Sequence, residues 1–232
     1  MNICIIPSRG GSKRIKKKNI KNFCGKPIIL WSIKVAKESK CFDKIIVSTD
    51  DPQIKDLSLE NGAEVPFIRP AELSDDYTGT VPVVAHAIKW QIKYSKKPTY
   101  VCCVYPTAPF LKPEDLKIGL EKLKNIDVEY VFSATEYNYP IQRSFRILSE
   151  QRIEMFQKEH INTRSQDLEH AYHDAGQFYW GKTETWIKEK PILGNNSVVV
   201  KLPKYRVQDI DNYDDWTKAE LMFDAYVVKK KK

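Results

Sequence analysis

Short apolar runs of strand length alternate with longer amphipathic stretches along most of the chain. Asn2 to Pro7 predicts a first strand, and Pro27 opens an apolar helical run through Trp31, Ile33 and Val35. Lys44 to Thr49 predicts a second strand. Asp50-Asp51-Pro52 then offers an N-cap with proline at the first helical position, for a helix that stops near Gly62. Ala63 to Ile68 predicts a third strand and Val83 to Tyr94 a helix. Tyr100 to Tyr105 is a fourth strand, nearly continuous in its apolar character as a central strand should be. Pro113 to Leu123 predicts a helix and Glu129 to Ala134 a fifth strand. Gln177 to Trp180 reads as a strand, Thr183 to Lys188 as a short helix, Ser197 to Leu202 as a strand and Tyr213 to Val228 as a terminal helix. This order predicts an α/β sandwich with a largely parallel sheet.

Between about Thr135 and Ala175 the alternation fails and the chain turns polar and aromatic without a helix or strand period. We read this stretch as an excursion from the sheet inside a single domain spanning 1–232. There is no internal repeat, and no low-complexity linker apart from a lysine end.

Composition narrows the picture. At 232 residues and 42% hydrophobic, the chain can build one substantial core. The formal charge is +8, yet five basic residues lie in one loop (Lys13, Arg14, Lys16, Lys17, Lys18) and four form the tail Lys229 to Lys232. Setting these nine aside leaves a balance of −1. A nucleic-acid binder spreads Lys and Arg over a face between aromatic residues, so the pattern argues for one anion-binding pocket, with no nucleic-acid partner and a solvated tail. The five cysteines (Cys4, Cys24, Cys41, Cys102, Cys103) are odd in number, lack C-x-x-C spacing and read as small buried hydrophobes. No apolar run approaches membrane-spanning length, and the first residues lack the regions of a signal peptide, so a cytoplasmic location without membrane contact is expected.

In an open α/β sheet the ligand lies beyond the carboxyl ends of the strands, which gives weight to four segments. The first is Ser8-Arg9-Gly10-Gly11-Ser12-Lys13-Arg14, with Lys18 and Asn19 close behind. Adjacent glycines let successive N–H groups form a nest for phosphate oxygens, and Arg9, Lys13 and Lys18 add charge suited to a triphosphate. The loop matches neither GxxxxGK[ST] nor GxGxxG. The second is Val47 to Asp51, where Asp51 is as readily a helix cap as a catalytic group. The third is Tyr105-Pro106-Thr107-Ala108-Pro109, whose prolines hold backbone rigidly where a base or sugar could rest. The fourth is Gln208-Asp209-Ile210-Asp211. In extended backbone its two carboxylates would share one side, a spacing suited to a hard divalent cation carrying triphosphate oxygens. Read with the phosphate loop, it describes Mg²⁺ and a nucleoside triphosphate. The histidines show no metal-ligand spacing, and Trp180 and Trp186 read as packing residues.

Together these residues resemble the CMP-sugar synthetases that activate nonulosonic acids, relatives of CMP-sialic acid synthetase. The resemblance covers nearly the whole chain. It rests on Ile6 to Lys13 with Lys18-Asn19, on Ile46 to Asp50, Arg69 to Leu73, Pro106 to Pro109, and Asp209 to Asp211. It implies a Rossmann-like, mostly parallel sheet with helices on both faces, of the nucleotide-diphospho-sugar transferase type, plus a small dimerisation excursion. Where sialic acid enzymes have Arg-Pro-Asn-Gly, this chain has His173-Asp174-Ala175-Gly176. The following Gln177 to Gly181 resembles the branch that acts on pseudaminic acid.

The resemblance also implies a reaction and its participants. CTP and the nine-carbon acid sugar give the CMP-sugar and pyrophosphate, with Mg²⁺ on Asp209 and Asp211. Arg9, Lys13 and Lys18 would stabilise the phosphates, with Gly10, Gly11, Ser12 and Asn19 holding the nucleotide and Arg69, Pro106 and Thr107 on the cytidine side. Arg164, with Arg143 in reserve, would meet the sugar carboxylate, His173 and Gln177 would face the sugar, and the chain would pair as a homodimer. The competing readings are a synthetase for N-acetylneuraminic, legionaminic or 3-deoxy-manno-octulosonic acid, a transferase acting on a sugar 1-phosphate, and a basic nucleic-acid-binding module.

Overall fold

Six strands make one sheet in the order β10-β6-β9-β5-β1-β4, formed by β1 (Asn2–Pro7), β4 (Lys44–Ser48), β5 (Tyr100–Val104), β6 (Tyr130–Glu136), β9 (Tyr172–Lys182) and β10 (Ser197–Lys201). The structure is a computed structural model describing residues 1–230, with side chains through residue 226. The lysine tail singled out above therefore lies, in its side chains, outside the described residues. Two short hairpins stand apart from the sheet: β2 (Asn22–Phe23) with β3 (Lys26–Pro27), and β7 (Phe145–Ile147) with β8 (Ile153–Met155). The helices are α1 (Ile29–Ser39), α2 (Pro52–Glu60), α3 (Thr80–Tyr94), α4 (Pro113–Asn125), α5 (Thr183–Ile187) and α6 (Tyr213–Lys230).

The strand alternation of side chains builds two core layers. Cys4 and Ile6 join Val47, Cys102, Val104 and Trp180 on the face covered by α1, α2 and α4, through Ile29, Ile33, Ile54, Leu116 and Leu120. Ile3 and Ile5 join Ile46, Val101, Cys103 and Tyr179 on the face covered by α3 and α5, through Val84, Ile88 and Trp186. A third cluster ties α6 to the loop after β1, with Trp216 and Phe223 against Ile15, Phe23 and Ile210. Both tryptophans are fully buried packing residues, and each indole N–H donates to a backbone carbonyl, Trp180 to Leu116 and Trp186 to Val101. All five cysteines are free, and Cys4, Cys102 and Cys103 are buried.

Two sequence expectations are corrected. Ala63 to Ile68 is not a strand: only Glu64 bridges to Ile46, because Pro66 has no N–H to extend a ladder, and the chain bulges away until the Arg69 N–H donates to the Thr49 carbonyl at 2.8 Å just past β4. The strand expected at Gln177 to Trp180 is the longer β9, which starts inside the expected excursion and runs antiparallel to both β5 and β6. The rest of the excursion is the β7–β8 hairpin with short 3₁₀ turns. No helix among the described residues is long and apolar enough to cross a membrane.

Candidate active site

The carboxyl ends of β1 and β5 open onto a cleft of about 360 Å³. Of the predicted nucleotide residues, Arg9, Ser12, Lys13, Lys18, Asn19, Arg69, Pro106 and Thr107 line it, as does Asp211. Gly10 and Gly11 lie in the same loop without lining the cleft.

The loop after β1 is fixed by bonds to its surroundings. The Ser8 N–H donates to the Ser48 carbonyl at 2.8 Å and the Gly10 N–H to the Asp50 carboxylate at 2.9 Å. A side chain at position 10 would collide with Asp51, its Cβ falling 2.7 Å from Oδ2, so the close approach requires glycine. Buried Asn19 donates to the Arg9 carbonyl at 2.9 Å, and fully buried Ile15 anchors the loop in the third cluster. Lys18 reaches across to donate to the Ile210 carbonyl at 2.6 Å. Burial lowers the Lys18 pKa, while Asp211 and Asp209 pull it back up.

Two cations of the loop are paired across the cleft. Arg9 meets Asp76 at 3.0 Å and donates to the Asp75 carbonyl, and Lys13 also pairs with Asp76. The Asp75–Gly79 turn that holds them is an Asx turn, with Asp75 accepting from the N–H groups of Tyr77 and Thr78. Sequence reasoning missed it, although the cluster Ser-Asp-Asp-Tyr-Thr-Gly carries ordinary turn chemistry. Arg69 is buried and braces the end of β4, donating from Nε to the Ser48 hydroxyl at 3.1 Å and from its terminal nitrogen to the Ser48 carbonyl. Burial brings its pKa down to about 10, with Asp50 opposing. Asp51 caps α2, accepting from Gln53 at 2.7 Å and Ile54 at 3.1 Å, so of its two readings the structure bears out the cap.

The paired carboxylates flank Ile210, which is fully buried in the third cluster. Asp211 meets Arg14 at 2.8 Å and Lys18 at 3.6 Å. Partial desolvation raises the Asp209 pKa and the charge of Asp211 adds to it, against the pull of Lys18. Among the described residues no group of three or more His, Cys, Asp or Glu side chains is placed to hold a metal ion. The two hard oxygen donors nevertheless suit a divalent cation whose remaining ligands are phosphate oxygens, and their mutual repulsion is what such a cation would relieve.

The residues expected at the sugar do not line this cleft in the single chain. Arg164 is exposed, and Arg143 donates to the Thr163 carbonyl within the excursion. His173 bonds the Asp174 carbonyl at 2.8 Å and packs on Tyr137. Gln177 is buried, and its amide donates to the Arg206 carbonyl at 2.6 Å. Arg206 is held in turn by a buried pair with Asp115 at 2.6 Å, which secures the segment leading to Asp209.

The sequence profile of a family described as cytidylyltransferase matches residues 3–226. The chain is 44% identical over 222 residues to a pseudaminic acid cytidylyltransferase of Campylobacter jejuni, a match covering 96% of each. It is 37% identical over 212 residues to a Helicobacter pylori protein named as pseudaminic acid cytidylyltransferase and UDP-2,4-diacetamido-2,4,6-trideoxy-beta-L-altropyranose hydrolase; that match covers 91% of this chain and 40% of the other. Among solved structures, a CMP:2-keto-3-deoxy-manno-octonic acid synthetase complexed with CTP superposes with a TM-score of 0.69 at 13% identity, covering 97% of this chain and 99% of that one. At that identity the likeness shows the fold, an α/β fold shared with nucleotidyltransferases.

Proposed function

The chain belongs to the cytidylyltransferase family, and from that premise we propose that it joins CTP and pseudaminic acid to give CMP-pseudaminic acid and pyrophosphate. The observation that carries this reading is the 44% identity along nearly the full length of a relative bearing that name. The cleft supports it, because Arg9, Lys13, Lys18 and Ser12 converge there beside Asp211.

In this reading the anomeric hydroxyl of the acid attacks the α-phosphorus and pyrophosphate leaves. Negative charge grows on phosphate oxygens as it does, and cations held in advance lower the barrier without reorganising. Lys18 is best placed for this, since its side chain is largely shielded from water and its ammonium already donates to the Ile210 carbonyl. Arg9 and Lys13 exchange Asp76 for the triphosphate when the nucleotide binds. Asn19 keeps the Arg9 backbone in place, Gly10 and Gly11 let the loop approach the phosphates, and Arg69, Pro106 and Thr107 form the cytidine side of the wall. Asp209 and Asp211 would hold Mg²⁺, which when bound would neutralise charge on the triphosphate and favour deprotonation of the attacking hydroxyl.

We assign the sugar carboxylate to a cation from the excursion, Arg164 first and Arg143 second, delivered by the neighbour in a homodimer. Exposed Phe145, Ile147, Ile153 and Phe156 on and beside the β7–β8 hairpin support pairing there. His173 stands at the sugar end, while Gln177 contributes by bracing Arg206. The work is assigned to the cytoplasm, where five unpaired thiols stay reduced.

The test is to incubate the protein with CTP, Mg²⁺ and, separately, pseudaminic, N-acetylneuraminic and legionaminic acid, following pyrophosphate and the mass of the CMP-sugar. Turnover with pseudaminic acid alone is expected. Turnover only with another acid keeps the chemistry and overturns the substrate; none with any acid removes the synthetase reading.

A further inference from the structure

Two of the cations that the reaction above gives to the triphosphate are already paired within the protein, and both to the same side chain. Asp76 meets Arg9 through Oδ1 at 3.0 Å and the Lys13 ammonium through Oδ2. Arg9 also donates to the Asp75 carbonyl. Two oxygens on one centre, each on a different cation, reproduce what a phosphate group would offer the same two side chains. The hydrogen bond from Lys13, with the charges of Lys13 and Arg9, holds the Asp76 carboxyl below the ordinary carboxylate range, so it is ionised at neutral pH.

The two sides of this contact are held differently. The loop after β1 is fixed through buried Ile15, through Asn19 and through the bond of Gly10 to Asp50. The turn that carries Asp76 joins the 3₁₀ turn Ala71–Leu73 to α3, and residues 75 to 77 are all exposed, Tyr77 at 95%. Its shape comes from bonds within the turn and its approach: Asp75 accepts from the N–H groups of Tyr77 and Thr78, and the Thr78 hydroxyl donates to the Glu72 carbonyl at 3.1 Å. A segment with so little buried surface shifts at low cost. Asp76 can therefore leave the cations without disturbing the core, and its tether keeps it close enough to return.

A carboxylate tethered in this way competes with every anion that needs both cations, and it does so at the high effective concentration of an intramolecular partner. The penalty is the same for each anion, but its weight is not. CTP has its cytidine contacts to set against it, whereas pyrophosphate, once cut from the α-phosphorus, brings only its charges. Tighter binding of both would gain nothing once CTP exceeds its KM, and would slow the departure of the product. We propose that Asp76 is a displaceable counterion that loosens the hold of the cleft on pyrophosphate, returning to Arg9 and Lys13 as the product leaves. The inference rests on the synthetase reading, which names that product.

Titration calorimetry with inorganic pyrophosphate in metal-free buffer, with no sugar present, tests it. Two partly exposed ion pairs set the scale, so Asp76→Asn is expected to bind pyrophosphate about three- to tenfold more tightly, and the inhibition constant of pyrophosphate against CTP should fall by a similar factor. Unchanged or weaker binding overturns the proposal. Removing any nearby negative charge would help an anion, so the substitution is repeated in a Lys13→Met background. There the gain is expected to shrink by about half or more, because one of the two displaced pairs is already gone. An equal gain in both backgrounds would make Asp76 a bystander charge and overturn the proposal. Asp76→Ser gives the same reading if the asparagine variant fails to fold. Failure of the synthetase reading is separate: the unaltered protein would then release no pyrophosphate with any of the acids.

Discussion

The loop after β1 and the excursion of residues 135–175 are both irregular, and they place their apolar residues in opposite ways. In the loop Ile15 is fully buried, Asn19 and Lys18 are tied to backbone carbonyls, and Gly10 is bonded to Asp50. In the excursion Ile147, Ile153 and Ile161 are 72%, 62% and 66% exposed. The loop is anchored through the core of its own chain, which in the proposed reaction is what its charges require, since a charge helps a transition state only when it is fixed beforehand. The excursion leaves apolar surface uncovered by its own chain, and this exposure is the observation behind the proposed pairing.

The sharpest way to break this contrast is to remove what the loop holds in place. Lys18→Ala is expected to lower turnover by about 10²-fold or more, with a weakened salt dependence, measured by pyrophosphate release. Asp209→Asn combined with Asp211→Asn is expected to cost at least as much and to abolish the Mg²⁺ dependence of whatever activity is left. Residual activity with an unaltered Mg²⁺ titration would exclude these residues as ligands.

A second cut goes beneath the loop. Asp115→Ala strands a buried guanidinium at Arg206 and is expected to destabilise the fold by about 3–5 kcal/mol in urea unfolding. The hairpin lies outside that pair, so the mass of the assembly at concentrations where the variant is folded should not change. On the excursion the reverse is expected: Ile147→Asp should halve the mass seen by analytical ultracentrifugation with little change in the unfolding midpoint. If the mass were already that of one chain before substitution, the assignment of the excursion to pairing would fail.

The smallest effect concerns Asp209 alone. Its pKa is raised in the folded state, so folding binds its proton more tightly than the unfolded chain does, and the contribution to stability is full at pH below the ordinary carboxylate range. It is lost as the pH rises through the raised value. Asp209→Asn should therefore raise the melting temperature slightly at neutral pH in metal-free buffer, with no gain at acid pH. A fall at neutral pH would mean that the carboxylate is favourably placed without a metal.

Much of this molecule is legible in its residues. The strands β1, β4, β5, β6 and β10 and the helices α1 to α6 follow from apolar periodicity, from Pro52 after Asp51, and from the unbroken apolar run at Tyr100 to Tyr105. The cleft residues Arg9, Ser12, Lys13, Lys18, Arg69 and Asp211 were readable because each lies in a short motif just beyond a strand or turn. The third strand was misread because an apolar run of suitable length says nothing about whether a partner N–H exists, and Pro66 removes it. The antiparallel β9 was beyond reach, since direction in a sheet depends on which neighbours a strand meets and not on its own composition.

Local information settled what each segment can do: which runs bury, where turns fall, which loop is positive and which pair is acidic. Partnership at a distance was settled only by the tertiary structure. It set Asp76 against Arg9 and Lys13, Asp115 under Arg206, and Thr80 against Tyr105. Periodicity is a property of neighbours in the chain, whereas a hydrogen bond between residues 80 and 105 or a carboxylate under residue 206 exists only once the sheet has brought their strands together.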